Sequence, residues 1–256
     1  MNLPPPLTAL DSLDDQLAAS GYAVLDAASL AALAGVPAAA IAAWQPLWDD
    51  LPPDEHMKDG GRYRRRRHGC FIVAPPAADG RPRPLQAVPR RAHWQPVAYN
   101  ALHGGIERWF GPLPPALGDD ATWAALLGAL ASRAAVLRHD AQATWYVEAH
   151  PFRIDTTDGI GRPTPEGAHR DGVDLVAVLL VSRVGIKGGE TRVFDAQGPQ
   201  GMRFTLTEPW SVLLLDDERV IHESTPIQPL DGATGGHRDT LVLTFRRGGF
   251  QGPDVA

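Results

Sequence analysis

Residues 164–182 read TPEGAHRDGVDLVAVLLVS. The second half is an unbroken apolar run of valine and leucine, as a strand buried on both faces requires. Runs of the same texture lie on either side. TWYVEAHPFRI (144–154) precedes it, and ETRVFD (190–195), WSVLLL (210–215) and DTLVLTF (239–245) follow. Turn residues punctuate them: DG at 158–159, KGG at 187–189 and DG at 231–232. Several short strands in succession, with no helices between them, predict an antiparallel sandwich or barrel rather than an α/β sheet. Gly188 and Gly189 suit a hairpin turn, where positive φ is needed.

The first 140 residues have a different texture. Ser12 to Ala19 has helical spacing with Ser12 as a candidate N-cap, GYAVLD from Gly21 reads as a short strand, and Ala38 to Trp48 continues at helical period behind Pro37. Residues 52–60, 75–84 and 112–120 read as loops, Tyr63 to Val73 as a strand, and Thr122 to Leu137 as a helix capped by Thr122. The pattern is one domain over 1–256, in which residues 1–58 are a helical decoration packed outside a mainly β core.

Composition narrows the class. The chain has 256 residues, 44% hydrophobic and 21% charged, enough to bury a sizeable core. Lys+Arg 24 against Asp+Glu 30 gives a net charge of −6, which argues against nucleic acid or an anionic membrane as partner. The single cysteine, Cys70, excludes an intrachain disulfide and cysteine-cluster zinc, and reads as a small buried hydrophobe. The opening MNLPPPLTALDSLDD has no basic region ahead of an apolar core, and the Ala-rich stretch 27–44 is broken by Gly35 and Pro37. A cytoplasmic location is expected.

The chemistry is concentrated in His169-Arg-Asp171, directly ahead of the apolar run. Two residues apart in extended chain, the imidazole and the carboxylate project to one side. His222 follows 53 residues later. Two histidines and one carboxylate form the facial triad of non-haem Fe(II) oxygenases, which leaves three metal positions open. Arg238 comes 16 residues after His222 and opens the strand RDTLVLTF, with Thr240 on the same strand face. An arginine there can hold a carboxylate through two charge-assisted hydrogen bonds, as a 2-oxoglutarate (2OG) site requires. A salt bridge from Arg238 to Asp216, Asp217 or Asp239 is the other reading, and strand propensity alone accounts for Thr240 equally well. The histidines at 56, 68, 93, 103, 139, 150 and 237 lack comparable spacing and are read as core or surface residues.

The order H-x-D, distal His, R-x-T resembles the Fe(II)/2OG-dependent dioxygenases of the double-stranded β-helix, or jelly-roll, fold. TPEGAHRDGVDLV, the GGET turn at 188–191, DDERVIHESTPI (216–227) and HRDTLVLTF (237–245) resemble most closely the branch of bacterial L-isoleucine hydroxylase-type enzymes, which hydroxylate free aliphatic L-amino acids. YRRRRHGCF (63–71), QPVAYNALHGG (95–105) and HPFRID (150–155) are similar to that branch too. The resemblance spans roughly residues 60–247. It implies a mainly β, cupin-like jelly roll with flanking α-helices, iron ligands His169, Asp171 and His222, and 2OG contacts Arg238 and Thr240. It also implies O2 as co-substrate, release of succinate and CO2, and a small-molecule substrate. Two rivals stay open: a non-catalytic 2OG- or iron-binding regulatory protein of the biofilm or stress type, and a cupin-like hydrolase or isomerase with another metal.

A free amino acid brings a carboxylate whose burial costs several kcal/mol unless a second cation meets it. Arg153, between Phe152 and Ile154, is the first candidate, followed by Arg65 and Arg67. In the strand 63–73 those two share a face with Tyr63, itself a candidate for substrate binding, and with Phe71 and Val73, and this apolar-flanked face is expected to point inward. Asn100 is a further candidate for the pocket wall, with a turn role as its alternative.

Overall fold

The computed structural model describes residues 3–253 except 78, 79, 82, 101 and 233, so parts of the proline-rich stretch 75–84 and of 95–105 lie outside the described residues. Its strands are β1 (Tyr22–Leu25), β2 (Arg64–Val73), β3 (Gln86–Val88), β4 (Gly111–Pro112), β5 (Trp145–Asp155), β6 (Leu175–Val184), β7 (Ile186–Gly188), β8 (Thr191–Asp195), β9 (Gly201–Phe204), β10 (Val212–Asp216), β11 (Val220–Ser224), β12 (Ile227–Pro229) and β13 (His237–Arg246). The helices are α1 (Leu13–Ser20), α2 (Ala27–Ala34), α3 (Ala38–Ala42) and α4 (Ala121–Leu137). Among the described residues no single helix is long and apolar enough to cross a membrane.

The five β-rich runs become β5, β6, β8, β10 and β13. A large sheet takes the order β1-β10-β6-β13-β5-β2-β3, and the opposing wall consists of β11-β8-β9 and the pair β12-β7. This is the mainly β jelly-roll core expected. Gly188 and Gly189 link β7 to β8 with φ of 82° and 68°, but the link is not the hairpin expected, because β7 pairs with β12 and β8 with β11 and β9.

The large sheet is buried on both faces, and the two faces differ in kind. Val147 and Ala149 of β5, Leu241 and Leu243 of β13, and Phe71 of β2 pack against the helices in one apolar cluster with Leu17, Leu30, Trp48 and Trp123. The intervening residues of the same strands face the second wall and enclose a cavity.

The N-terminal segment is more than a decoration. β1 pairs with β10 and extends the large sheet, and Trp48 Nε1 donates to Phe152 O at 3.1 Å and Thr240 O at 3.2 Å. The helix expected over 38–48 ends at Ala42 and resumes as a 3-10 turn, Gln45–Trp48, because Pro46 has no N–H to continue the ladder. The cap of α4 is Asp120, which accepts from Trp123 N at 2.9 Å, and not Thr122. Ser12 makes no side-chain capping bond to α1.

Candidate active site

His169 and His222 meet because they are cross-strand partners. His169 N donates to His222 O at 3.0 Å and His222 N donates back to His169 O at 2.9 Å, a reciprocal bridge at the middle of β11. Their rings lie 4.7 Å apart, centroid to centroid. Asp171 completes the group, with its carboxylate oxygens 3.9 Å from His169 Nε2 and 3.8 Å from His222 Nε2. One donor atom from each residue lies within 4.8 Å of the others, close enough to share one ion.

The surroundings fix these donors. His169 Nδ1–H donates to Gly167 O at 2.9 Å, which leaves the Nε2 lone pair for the centre. Gln95 Nε2 donates to Asp171 Oδ1 at 3.0 Å. Asp217 accepts the N–H groups of Asp171, Gly172 and Val173 at 3.0, 2.7 and 3.0 Å and so shapes the loop behind Asp171. Burial and the nearby Asp171 charge push the Asp217 carboxyl up to about 7 despite those donors. Burial pulls His169 down, but the Asp171 and Glu166 charges outweigh it and raise its pKa; burial holds His222 well below the ordinary histidine range. Two nitrogens and one carboxylate oxygen converging in a largely buried spot are the donor set that Fe(II) accepts with positions to spare.

Arg238 and Thr240, both buried, line the same cavity. Arg238 Nε has no hydrogen-bond partner, and among the described residues no carboxylate lies within ion-pair distance of the guanidinium. Asp239, the alternative partner, is taken by Arg153. Burial lowers Arg238 to about 10. A buried cation without a counter-ion is costly, and an incoming carboxylate would relieve it.

The substrate candidates sort differently. Arg153 lies opposite Asp239 in the β5–β13 ladder and binds it through two hydrogen bonds of 2.8 Å, on the helix side of the sheet and outside the cavity. Arg65 lies 3.7 Å from Asp155, and Arg67 donates to Asp50 O and Pro112 O. Tyr63 is buried beside Ile154 and Ile227 with its hydroxyl donating to Asp59 at 2.5 Å. None of these four lines the cavity. The parity of β2 is the reverse of that expected: Arg64 and Arg66 face the cavity, and the Phe71 face meets the helices. Asn100 does line the cavity, where it donates to Gln95 Oε1 at 3.0 Å and accepts from His103 N at 2.7 Å.

Sequence reasoning missed Arg66, His93, Arg108, Glu148 and His150, which line the same cavity. Two of them left a signal. Glu148 and His150 are polar residues spaced by two inside the otherwise apolar TWYVEAHPFRI, on the face shared with Phe152 and Ile154.

The 2OG-Fe dioxygenase family matches this chain over residues 45–244. The chain belongs to that family. It is therefore a dioxygenase of a family that works with Fe(II), 2OG and O2. It is 56% identical to a bsmA homolog from Methylobium petroleophilum PM1, over 98% of both chains and with a TM-score of 0.89. IDO from Bacillus thuringiensis shares the fold at 17% identity, with 94% of this chain and 100% of that one covered and a TM-score of 0.71. So does the Fe(II)/α-ketoglutarate-dependent dioxygenase TqaL, at 20% identity, 93% and 87% coverage and a TM-score of 0.63. No curated protein matches the chain.

Proposed function

We propose that this dioxygenase hydroxylates a free L-amino acid or a similar small carboxylate, with release of succinate and CO2. His169, Asp171 and His222 would hold Fe(II), and Arg238 with Thr240 would receive the far carboxylate of 2OG. The observation that carries this reading is the uncompensated Arg238 guanidinium in the wall of the cavity that also contains the His-Asp-His group. Iron, 2OG and O2 together supply the oxidising power for an unactivated C–H bond.

The chain supplies position and dryness. Gly167 O sets the tautomer of His169, Gln95 orients Asp171, and the Asp217 carboxylate holds the loop between them and β6. Phe152, Val178 and Val242 line the cavity and keep part of its wall apolar. The likeness of 63–71, 95–105 and 150–155 to the isoleucine hydroxylase-type branch supports a free amino acid. The second cation that such a substrate needs is then Arg108 or Arg66, not Arg153.

The test is succinate formation from 2OG in air with Fe(II) and a reductant, across a panel of free amino acids. Succinate stimulated by at least one amino acid, and abolished without oxygen, is expected. Folded, iron-loaded protein that makes none with any of them would defeat the reading.

A further inference from the structure

With Asp171 assigned to iron, Arg238 to 2OG and Arg64 paired with Asp54, five charged side chains of the cavity wall make no arginine–carboxylate ion pair among the described residues: Arg66, Arg108, Arg246, Glu148 and Glu166. Arg246 donates to Gly249 O, and each of the other four keeps one buried atom without a hydrogen-bond partner: Nε of Arg66, Nε of Arg108, Oε1 of Glu148 and Oε2 of Glu166. Arg64 is excluded because Asp54 meets it at 2.6 Å. Buried charged groups that are half satisfied in a cavity mark places where a ligand supplies the missing partner. Orphaned atoms of both signs in one wall suit a ligand that carries one charge of each sign, whereas a bare carboxylate or a bare amine would satisfy only one kind.

The surroundings of Glu148 show which end of such a ligand it meets. Its Oε2 accepts from His93 Nδ1 at 2.7 Å and lies 3.7 Å from His68 Nε2 and 3.6 Å from His150 Nε2. These four residues could be taken for a second metal site. Two features oppose that. Arg66 donates to His150 Nδ1 at 2.6 Å, so the proton of the neutral ring is on Nε2 and no lone pair is left there for a metal. The His68 and His150 rings are stacked, 9° from parallel and 4.7 Å apart, so the in-plane directions of their nitrogens lie in parallel planes and do not converge on one point. The histidines are a cage that keeps a buried carboxylate ionised, and the Glu148 carboxyl is held well below the ordinary range, its burial outweighed by His93, His150 and His68.

Arg108 is the counterpart. Its NH2 donates to Gln95 Oε1 at 2.9 Å, and the Nε2 of the same Gln95 donates to Asp171 at 3.0 Å. A carboxylate on Arg108 is thereby indexed to the iron ligand through one side chain. Arg66, whose guanidinium lies 3.9 and 4.2 Å from the centroids of Phe110 and Phe152, is clamped beside it. We propose that Glu148 receives the α-ammonium group and Arg108 the carboxylate of a zwitterionic amino-acid substrate, so that the pair selects free amino acids over deaminated or N-acylated acids. This rests on the oxygenase reading above and adds the residues that would decide specificity.

The test uses the holoprotein with Fe(II) and 2OG, without oxygen, and follows the visible absorption of the iron–2OG pair as ligands are added. Each of the twenty free L-amino acids is titrated, then the deaminated acid and the N-acetyl derivative of any that responds. At least one free amino acid should perturb the band, and its two analogues should need about 10- to 100-fold higher concentrations, the loss expected for a hydrogen bond to a charged group. Glu148→Gln should bind the amino acid about 10- to 100-fold more weakly and no longer prefer it over the deaminated acid, with 2OG titrating as in wild type. Arg108→Gln should weaken both alike. Analogues that bind as well as the amino acid, a Glu148→Gln protein that keeps the preference, or a second metal equivalent lost on that substitution would overturn the proposal. So would a 2OG band that no free amino acid perturbs. A missing 2OG band in folded wild-type protein would instead bring down the oxygenase reading, and this proposal with it.

Discussion

The two ends of the cavity are built in opposite ways. The end proposed to hold iron and 2OG comes from 70 residues of chain, 169 to 238, in which short strands place His169 against His222 and set Arg238 on the last long strand. The end proposed to receive the substrate is assembled from β2, the segment 93–108 and β5, which contribute Arg66, Arg108 and Glu148 from distant parts of the sequence. The first end can be read from spacing, because a fixed order of ligand types reflects a fixed strand order. The second end has no such order, because its residues are brought together only by the pairing of β2 with β5 and by the loop above them.

The largest effect that would break this division is at the metal end. Alanine at His169, Asp171 or His222 should reduce succinate formation to background while the circular dichroism spectrum stays that of wild type. A variant that retained turnover would remove that residue from the ligand set.

Arg153 separates the two readings of the sheet's other face. Arg153→Ala leaves Asp239, 1% exposed, with only Ser182 Oγ at 2.9 Å and a long contact from His237. Loss of one partner of such a pair should destabilise the fold by about 3 kcal/mol, measured by urea denaturation. The KM for substrate should be unchanged in the folded fraction. A normal midpoint with a severe rise in substrate KM would put Arg153 back in the cavity.

A smaller effect is expected at Arg238. Arg238→Lys keeps the charge and loses the fork, so the KM for 2OG should rise about tenfold to a hundredfold with less change in kcat. An unchanged 2OG dependence would place the guanidinium outside the co-substrate site.

The smallest effect concerns the buried imidazoles at the proposed substrate end. Burial pushes His93 down to about 3 and His103 to about 4, so both stay neutral in the fold at pH values where the unfolded chain protonates near 6.5. The unfolded state therefore binds more protons below 6.5, and stability falls on acidification. Between pH 7 and pH 6 the expected loss is under about 1 kcal/mol per imidazole. His93→Gln should shallow that slope, and an unaltered slope would mean His93 protonates in the fold.

These particulars show what the sequence encodes openly. The strands of the jelly roll, the His-Asp-His group and the arginine after it are legible as period, spacing and residue type. The parity of β2 is not. Alternation assigns its apolar flank to the inside, and Phe71 is indeed buried against the helices. But both faces of this sheet are buried, and the face that lines the cavity is the charged one, with Arg64, Arg66 and His68 only 3–5% exposed. A rule that seeks apolar residues finds the packed core and passes over a buried site whose polar groups face a ligand. Arg153 misled for a related reason: a lone, half-buried arginine between Phe152 and Ile154 is there to meet the buried Asp239, a partner 86 residues away.

The central claim is one iron site built from His169, Asp171 and His222 that takes 2OG against Arg238. It is tested most directly by anaerobic titration of Fe(II), then 2OG, into wild type, Asp171→Ala and Arg238→Lys, with metal analysis after desalting. Wild type should bind one iron per chain and develop a 2OG-dependent visible band. Asp171→Ala should retain no tightly bound iron, and Arg238→Lys should hold iron but need more 2OG for the same band. An Asp171→Ala protein that still binds one tight equivalent and develops the full band would contradict the account.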